Sequence, residues 1–361
     1  KHGIKLVLGY TVEGFKEKDN GVEVLLKDNP SLQADMVVLA IGVTPDTALA
    51  KEAGLELGIK GSIVVNDRME TSVPDIYAAG DAVQVKHYVT GDDALISLAG
   101  PANKQGRIIA DNICGGDSHY LGSQGSSVIK VFDMTAATTG INETNAKKSG
   151  LEVDTVILSP MSHAGYYPGG KVMTMKVVFE KETYRLLGAQ IIGYEGVDKR
   201  IDVLATAIHA GLKATQLKDL DLAYAPPYSS AKDPVNMAGF MIDNIAKGTL
   251  KQWHLEDMDK ISKDKSAVLL DVRTVGEFNR GHMDRFKNIP VDELRERINE
   301  IEKGKPVYLI CQSGLRSYIA SRILEGNGYE TYNFSGGFRF YDAVVNDRAL
   351  IEKAYACGMD Y

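Results

Sequence analysis

Cysteine is scarce: three occur in 361 residues, Cys114, Cys311 and Cys357, far apart and with no CxxC pair among them. An odd, scattered set argues against a secreted disulfide framework and for reduced thiols in a cytoplasmic setting. Basic excess is absent as well, and the net charge of −7 offers no electrostatic footprint for a nucleic acid. No apolar run approaches the ~18 residues of a membrane span. The opening "KHGIKLVLGY" has neither an initiator Met nor a charged-then-apolar leader. Low-complexity tracts and internal repeats are missing, and no G-x-G-x-x-G opens a helix anywhere. What remains is an ordinary globular composition, 44% hydrophobic with 36 Gly, long enough for two or three compact domains.

The pattern changes along the chain. Residues 4–42 read as strands joined by turns: "IKLVLGY", then "VEGFKEKDNGVEVLLKD" with the turn-prone Asp19-Asn20-Gly21, then "ADMVVLAIG", an apolar run fit for a buried strand. "DIYAAGDA" (75–82) reads as a second buried strand, and a helix follows over 101–114, Pro in its first turn and Gly115-Gly116 stopping it. On this reading Cys114 is a packing residue late in that helix. Longer strands come next, "SSVIKVF" and "KVMTMKVVFE", then a helix with Ile201, Leu204, Ala205, Ile208 and Leu212 at helical spacing. The Pro-rich "AYAPPYSSAKDPVN" (223–236) interrupts, and "MAGFMIDNIAKG" resumes a helix. Beyond a linker, "AVLLDVR" and "PVYLIC" alternate with the helix "LRSYIASRILEGNG", the mark of a small parallel α/β domain.

The loop "CQSGLRS" (311–317) is the densest chemistry in the chain. A buried strand delivers Cys311 to a sheet's carboxyl edge, Gly314 relaxes the backbone, and a helix starts near Leu315 with Leu315, Ile319 and Ile323 on one face. A thiol there meets free backbone N–H groups and the positive end of a helix dipole, with Arg316 adding fixed charge. Such a cradle favours the reactive thiolate and suits a persulfide or an oxyanion.

"LLDVR" (269–273), Glu277-Phe278, Gly281-His282, "NIP" (288–290), "CQSGLRS" and "SGG" (335–337), in this order, resemble a single-domain rhodanese. The resemblance implies that Cys311 carries sulfane sulfur as a persulfide, with Arg316 and the loop amides holding the anionic group. Tyrosine phosphatases place one residue more between Cys and Arg; the four found here go with sulfur transfer. One departure is visible: Asp284-Arg285 stands where family members usually read Gly-Ala.

In "TSVPDIYAAGDAVQV" (71–85), Gly80-Asp81 sets a carboxylate where doubly wound folds bind cofactors, able to accept from a sugar or ribityl hydroxyl or to cap the next helix. The segment resembles the FAD ribityl motif of pyridine nucleotide-disulfide oxidoreductases, which implies FAD at Gly80 and Asp81. "ADMVVLAIGVTPDT" (34–47) resembles that family's return from its NAD(P)H domain, with Ala40-Ile41-Gly42 for the usual Ala-Thr-Gly and Gly42 at the cofactor. "LAGPANKQGR" (98–107) matches the helix whose amino end faces the flavin, so Leu98, Ala99, Gly100 and Pro101 would contact the ring. A positive helix end there stabilises a reduced, anionic flavin.

"SHAGYYPGG" (162–170) and "DKRIDVLATAIHAG" with "YAPPYSSAKDPVNMAG" are similar to coenzyme A-disulfide reductases and NADH-dependent persulfide reductases. There a tyrosine from each stretch reaches the partner subunit's site. Tyr228 matches one; for the other, Tyr166 and Tyr167 are adjacent, with Tyr167 favoured, and interface packing is the alternative role. The resemblance implies a multidomain α/β flavoprotein: the end of an NAD(P)H-binding domain (1–46), half of an FAD domain (47–122), an α+β dimerisation domain (123–248), a linker (249–256) and a rhodanese-like domain (257–361). It further implies a homodimer that uses FAD and NAD(P)H on CoA disulfide, CoA persulfide or polysulfide, with coenzyme A as substrate or bound ligand. The family's Gly-rich fingerprints and its redox cysteine have no counterpart before Cys114, so the expectation is a parent whose first part lies outside this sequence. The alternative is a sulfurtransferase on a dimer-forming scaffold.

Overall fold

A computed structural model describes residues 3–356, so Cys357 and the last residues expected in the rhodanese-like domain lie outside the described residues. Two compact units are present, Lys1–Thr44 with Tyr341–Tyr361, and Pro45–Phe340.

In the first unit β1 (Val12–Lys18), β2 (Gly21–Leu26) and β3 (Asn29–Ala34) form an antiparallel meander. Its first turn needs glycine: Gly21 has φ +137, and a β-carbon there would lie 2.5 Å from the Ala34 carbonyl oxygen. The strands expected at 4–10 and 36–42 are not formed. Met36, Val38, Leu39 and Ile41 are exposed, Ile41 to 90%. A buried strand needs neighbours on both edges, and among the described residues none pairs with this run.

The second unit opens with α1 (Ala48–Glu52), β4 (Ile63–Val64), β5 (Val83–Lys86), β6 (Asp93–Ala94) and α2 (Ala99–Ile113). Met69, Val83 and Val85 form a small core against Ile108 and Ile109 of α2. "DIYAAGDA" is not the expected buried strand. Tyr77 makes one bridge to Glu70, Asp75 takes φ +63, and Gly80–Ala82 closes into a 3-10 turn. α2 starts at Ala99 with Pro101 in its first turn and stops at Gly115, φ +87. Cys114 caps α2 exposed to solvent; the expected packing role is corrected.

A five-stranded antiparallel sheet follows, in the order β7-β8-β11-β10-β9. Its strands are β7 (Ser127–Val131), β8 (Met134–Gly140), β9 (Val153–Leu158), β10 (Thr174–Glu180) and β11 (Leu186–Gly193), with α3 (Glu143–Lys148) between β8 and β9. On it rests α4 (Val197–His209), burying Ile201, Leu204 and Ile208 as its 3.6-residue period requires. Ala205 is half-buried and Leu212 lies past the helix end. Residues 223–233 are irregular, and α5 (Pro234–Ala246) takes Pro234 at its start.

The last domain holds β12 (Gln252–Trp253), α6 (Met258–Lys263), β13 (Val268–Asp271), α7 (Val275–Arg280), β14 (Lys287–Asn288), β15 (Val307–Ile310), α8 (Leu315–Glu325), β16 (Thr331–Phe334) and α9 (Gly337–Ala356). Its five strands run in the order β12-β16-β15-β13-β14, with every pairing parallel. The stretch expected as a linker contributes β12, because Trp253 is buried against Phe334, Tyr308 and Phe286 at ring separations of 4.4, 5.9 and 6.3 Å. Arg285, at the departure from the usual Gly-Ala, adopts φ +68, a region that favours glycine. Its guanidinium donates to the carbonyls of Ser262 and Asp264.

The free edge of β9 meets this domain. Ile157 N–H donates to Ser335 Oγ at 3.0 Å. Gln252 Nε2 reaches Asp154 Oδ1 at 3.0 Å and the Thr155 carbonyl at 2.8 Å, and a His254 ring nitrogen lies 3.2 Å from Asp154 Oδ1. Trp253→Ala removes the ring that seals β12 to the sheet, and we expect a loss of about 3–5 kcal/mol, read as an earlier unfolding step of this domain in urea.

Candidate functional site

β15 ends at Ile310, and Cys311 follows at the carboxyl edge of the sheet, 1% exposed. Gly314, φ +102, is the N-cap of α8, and its N–H donates to Cys311 Sγ at 3.1 Å. Ser317 Oγ donates to the same sulfur at 3.2 Å. The N–H groups of Gln312, Ser313, Leu315 and Arg316 find no acceptor among the described residues. This is a ready anion cradle at the positive end of an 11-residue helix. Of the apolar face foreseen on α8, Leu315 is 66% and Ile319 43% exposed and only Ile323 packs in part on the core, while Ser317, Ala320, Ser321 and Leu324 are buried. Those small residues let the helix approach the sheet behind the sulfur.

Arg316 is engaged. Its two terminal nitrogens each donate to a Glu277 carboxylate oxygen at 2.7 Å, a bidentate pair. Glu277 also caps α7, accepting from Thr274 N–H and Oγ1 at 3.0 and 2.9 Å. The Arg316 guanidinium, against a smaller opposing effect of burial and with help from Thr274, holds the Glu277 carboxyl down to about 2. Beneath the loop, Asp271 and Arg273 form a fully buried pair at 2.6 Å, and Arg273 lies over the Phe338 ring at 3.8 Å.

The second group of predicted residues gathers at α2. Asp81 is exposed in the 3-10 turn. Gly80, φ +85, donates its N–H to Gln105 Oε1 at 2.7 Å. The α2 N-cap is Leu98, with no side-chain cap and no acidic residue in the first turn. The amides of Ala99 and Gly100 therefore keep their donors, and a β-carbon at Gly100 would meet nothing within 4 Å. An open carboxylate beside an uncapped, positive helix end fits the ribityl chain and pyrimidine edge of a flavin. No Gly-rich loop for its pyrophosphate occurs in this sequence. Gly42, φ +97 and exposed, belongs to the Lys1–Thr44 unit.

The tyrosines are sorted by the structure. Tyr166 Oη and Tyr224 Oη lie 2.8 Å apart, one from each of the two stretches. That hydrogen bond, with some burial, raises the Tyr224 phenol. Tyr167 packs edge-on against His163 at 5.6 Å. Tyr228 is 73% exposed and, with Tyr224, Ser162, His163, Lys199 and Arg200, lines a hollow of about 550 Å³. Tyr224 was not among the residues singled out by sequence, although it opens "YAPPYSS"; its signal is its position across from Tyr166, which only the fold reveals.

Residues 1–106 match the family model described as pyridine nucleotide-disulphide oxidoreductase, and residues 126–234 match that family's dimerisation domain. The chain belongs to this family. Residues 254–343 match a rhodanese-like domain. The crystal structure of reduced Bacillus anthracis CoADR-RHD is 46% identical, with a TM-score of 0.90, over 94% of this chain and 60% of that one. An NAD-dependent persulfide reductase from A. fulgidus is 40% identical, TM-score 0.82, over 92% and 61%. Among curated proteins, the CoA-dependent NAD(P)H sulfur oxidoreductase of Pyrococcus abyssi is 38% identical over 65% of this chain and 52% of its own length. The chain thus spans about half the length of the curated relatives it matches.

In the rhodanese-like domain, the Glu277–Arg316 pair sets a pH dependence. A carboxyl depressed from 4.5 to about 2 contributes stability that is present above 4.5 and is lost as pH falls towards 2. Glu277→Gln should flatten the stability of the domain against pH across that window, measured by chemical unfolding at successive pH values.

Proposed function

We propose that this chain serves the NAD(P)H- and FAD-dependent reduction of CoA disulfides, or of CoA and other low-molecular-weight persulfides and polysulfides, coupled to sulfur carriage on Cys311. The observation that carries the reading is the Cys311 cradle, a buried sulfur with two donors on it and free amides around it, in a chain that also carries a flavin half-site and a two-tyrosine hollow. Its similarity to proteins named CoA disulfide reductase and persulfide reductase supports the choice of substrates.

At the rhodanese-like loop, the Cys311 thiolate attacks the outer sulfur of a persulfide R–S–SH. A new S–S bond forms, the old one breaks, and R–S⁻ leaves with the electron pair and takes up the proton of the outer sulfur, departing as R–SH. The product, a Cys311 persulfide, is anionic. The loop amides at the amino end of α8 hold that anion, and Arg316, its charge paired with Glu277, braces the loop around it. In the reductase half, Asp81 would hold the ribityl hydroxyls, and the α2 amides at Ala99 and Gly100, with Leu98 and Pro101, would hold the flavin's pyrimidine edge. FAD, when bound, would supply two-electron transfer.

The chain acts as a homodimer, through the domain that matches a dimerisation model, with its tyrosines serving the partner subunit's site. Of the candidates, Tyr166 and Tyr224 fit best as the working phenols, because each hydroxyl orients the other. A phenol so placed donates a proton to a leaving CoA thiolate. Tyr228 lines the same hollow and Tyr167 buttresses His163.

A second reading, sulfurtransferase alone on a dimer-forming scaffold, is favoured by the complete Cys311 cradle that this chain carries by itself. Titration with FAD, followed in the visible spectrum, separates the two: a stoichiometric flavin band that Asp81→Ala weakens supports the reductase, and a colourless protein leaves only the sulfurtransferase. Cys311→Ala should reduce transfer from thiosulfate to cyanide to background under either reading. Tyr166→Phe and Tyr224→Phe should each slow reduction of CoA persulfide by roughly 10²-fold or more, with transfer at Cys311 unchanged. Full reductase activity in both variants would eliminate the tyrosine assignment.

A further inference from the structure

Arg200 stands on α4 in a run, "DKR", that reads as a solvated face, yet it is 1% exposed. Its Nη2 donates to the Ser162 carbonyl at 2.9 Å, to Ser229 Oγ at 3.1 Å, to Asp233 Oδ2 at 2.9 Å and, more weakly, to the Tyr228 carbonyl at 3.4 Å. Nη1 reaches the Gly196 carbonyl at 3.2 Å, and Nε reaches Asp233 Oδ2 at 3.2 Å. Ser229 Oγ donates to Asp233 Oδ2 at 2.7 Å, and Ala164 N–H donates to the Ser229 carbonyl at 2.8 Å. Asp233 Oδ1 accepts from Val235 N–H and so caps α5. Gly196 makes room for this: at φ +69, a β-carbon there would lie 2.1 Å from Arg200 Nη1.

One guanidinium thus ties together α4, α5 and both irregular stretches that carry the tyrosines. The stretch 162–167 is held through Ser162, and the stretch 224–230 through Tyr228 and Ser229. Both stretches wall the hollow that Tyr224 lines, and Tyr224 in turn bonds Tyr166. A buried ion pair is rarely the most stabilising choice for such a position, since apolar residues of similar volume do as well or better. What it adds is direction, because each N–H must find its own acceptor. We infer that Arg200, Asp233 and Ser229 form a positioning clamp that sets the approach of the Tyr166 and Tyr224 hydroxyls and thereby the geometry offered to the sulfur substrate. This rests on the two-tyrosine reading above.

The test has two arms. In the chain itself, ¹³Cζ-tyrosine NMR follows the titration of Tyr224, whose phenol is raised by its bond to Tyr166. In Ser229→Ala, which keeps the ion pair, the Tyr224 midpoint should fall back towards that of an ordinary tyrosine; Asp233→Asn, which can still cap α5, should do the same and stands in if the first variant does not fold. An unmoved midpoint in a folded variant overturns the clamp. In the flavin-loaded enzyme, Ser229→Ala should lower kcat/KM for CoA persulfide by about tenfold, and should add nothing once Tyr224→Phe is present. Losses that multiply in the double variant mark a general structural role and also overturn the inference. If Tyr224→Phe alone leaves reduction unchanged, the tyrosine reading itself falls, and the clamp's catalytic meaning with it.

Discussion

Gly337 lies so close to the main chain of Gln312 and Ser313 that a β-carbon on it would stand 2.7 Å from the Gln312 carbonyl oxygen and the Ser313 Cα. Much of what the sulfur loop can do depends on that close approach. With no side chain in the way, Phe338 N–H reaches the Cys311 carbonyl at 2.8 Å and Arg339 N–H reaches that of Gln312 at 3.2 Å. The Cys311 and Gln312 carbonyls are thereby engaged at the back, while the Gly314 amide points to the sulfur. The same turn contains Ser335, whose hydroxyl accepts from Ile157 on β9. One short stretch therefore backs the cradle and ties its domain to the neighbouring sheet. It also covers a strand edge that would otherwise be open to another chain.

Arginine–carboxylate pairs recur wherever an irregular segment has to be held. Asp271–Arg273 lies under the sulfur loop, Glu277–Arg316 beside it, and Arg200–Asp233 under the tyrosine hollow. In each case the guanidinium also reaches main-chain or side-chain atoms outside its partner, or its carboxylate caps a helix. Such pairs do not compete well with apolar packing on energy alone. They specify geometry, which loops without a hydrogen-bonded ladder lack. The pairing of Arg316 also revises the simplest picture of the cradle. Its charge is balanced by Glu277, so stabilisation of an anionic sulfur falls chiefly to main-chain N–H groups and the Ser317 hydroxyl.

How far the sequence could be read followed how local each feature was. The sulfur loop is contiguous: strand, cysteine, glycine and helix occur within a dozen residues, and each was legible from residue type and spacing. So was α2, whose start and stop are written in Pro101 and Gly115. The apolar runs at 36–42 and 75–79 misled, because a strand exists only with a partner edge, and apolar character does not reveal whether one is present. Cys114 misled for a related reason, since position in a helix does not reveal which face is covered. Tyr224 and Arg200 were invisible for want of a map. Tyr224 hydrogen-bonds a residue 58 positions away, and Arg200 passes for surface charge until the Pro-rich stretch folds over it.

The depth of Cys311 bears on which sulfur donors it can serve. At 1% exposure the thiol meets only what can pass between the loop amides, and a disulfide flanked by two bulky groups would have to bring its carbon chains against Gly314 and Ser317. A terminal sulfane sulfur has no such burden, since its outer atom is small and bears the charge the amides are placed to receive. Balanced charge around Arg316 acts in the same direction: without a strong net positive field, a doubly charged oxyanion gains less than a soft, singly charged sulfur held by directed N–H donors. Burial, loop length and charge compensation therefore converge on persulfide-type sulfur at this site.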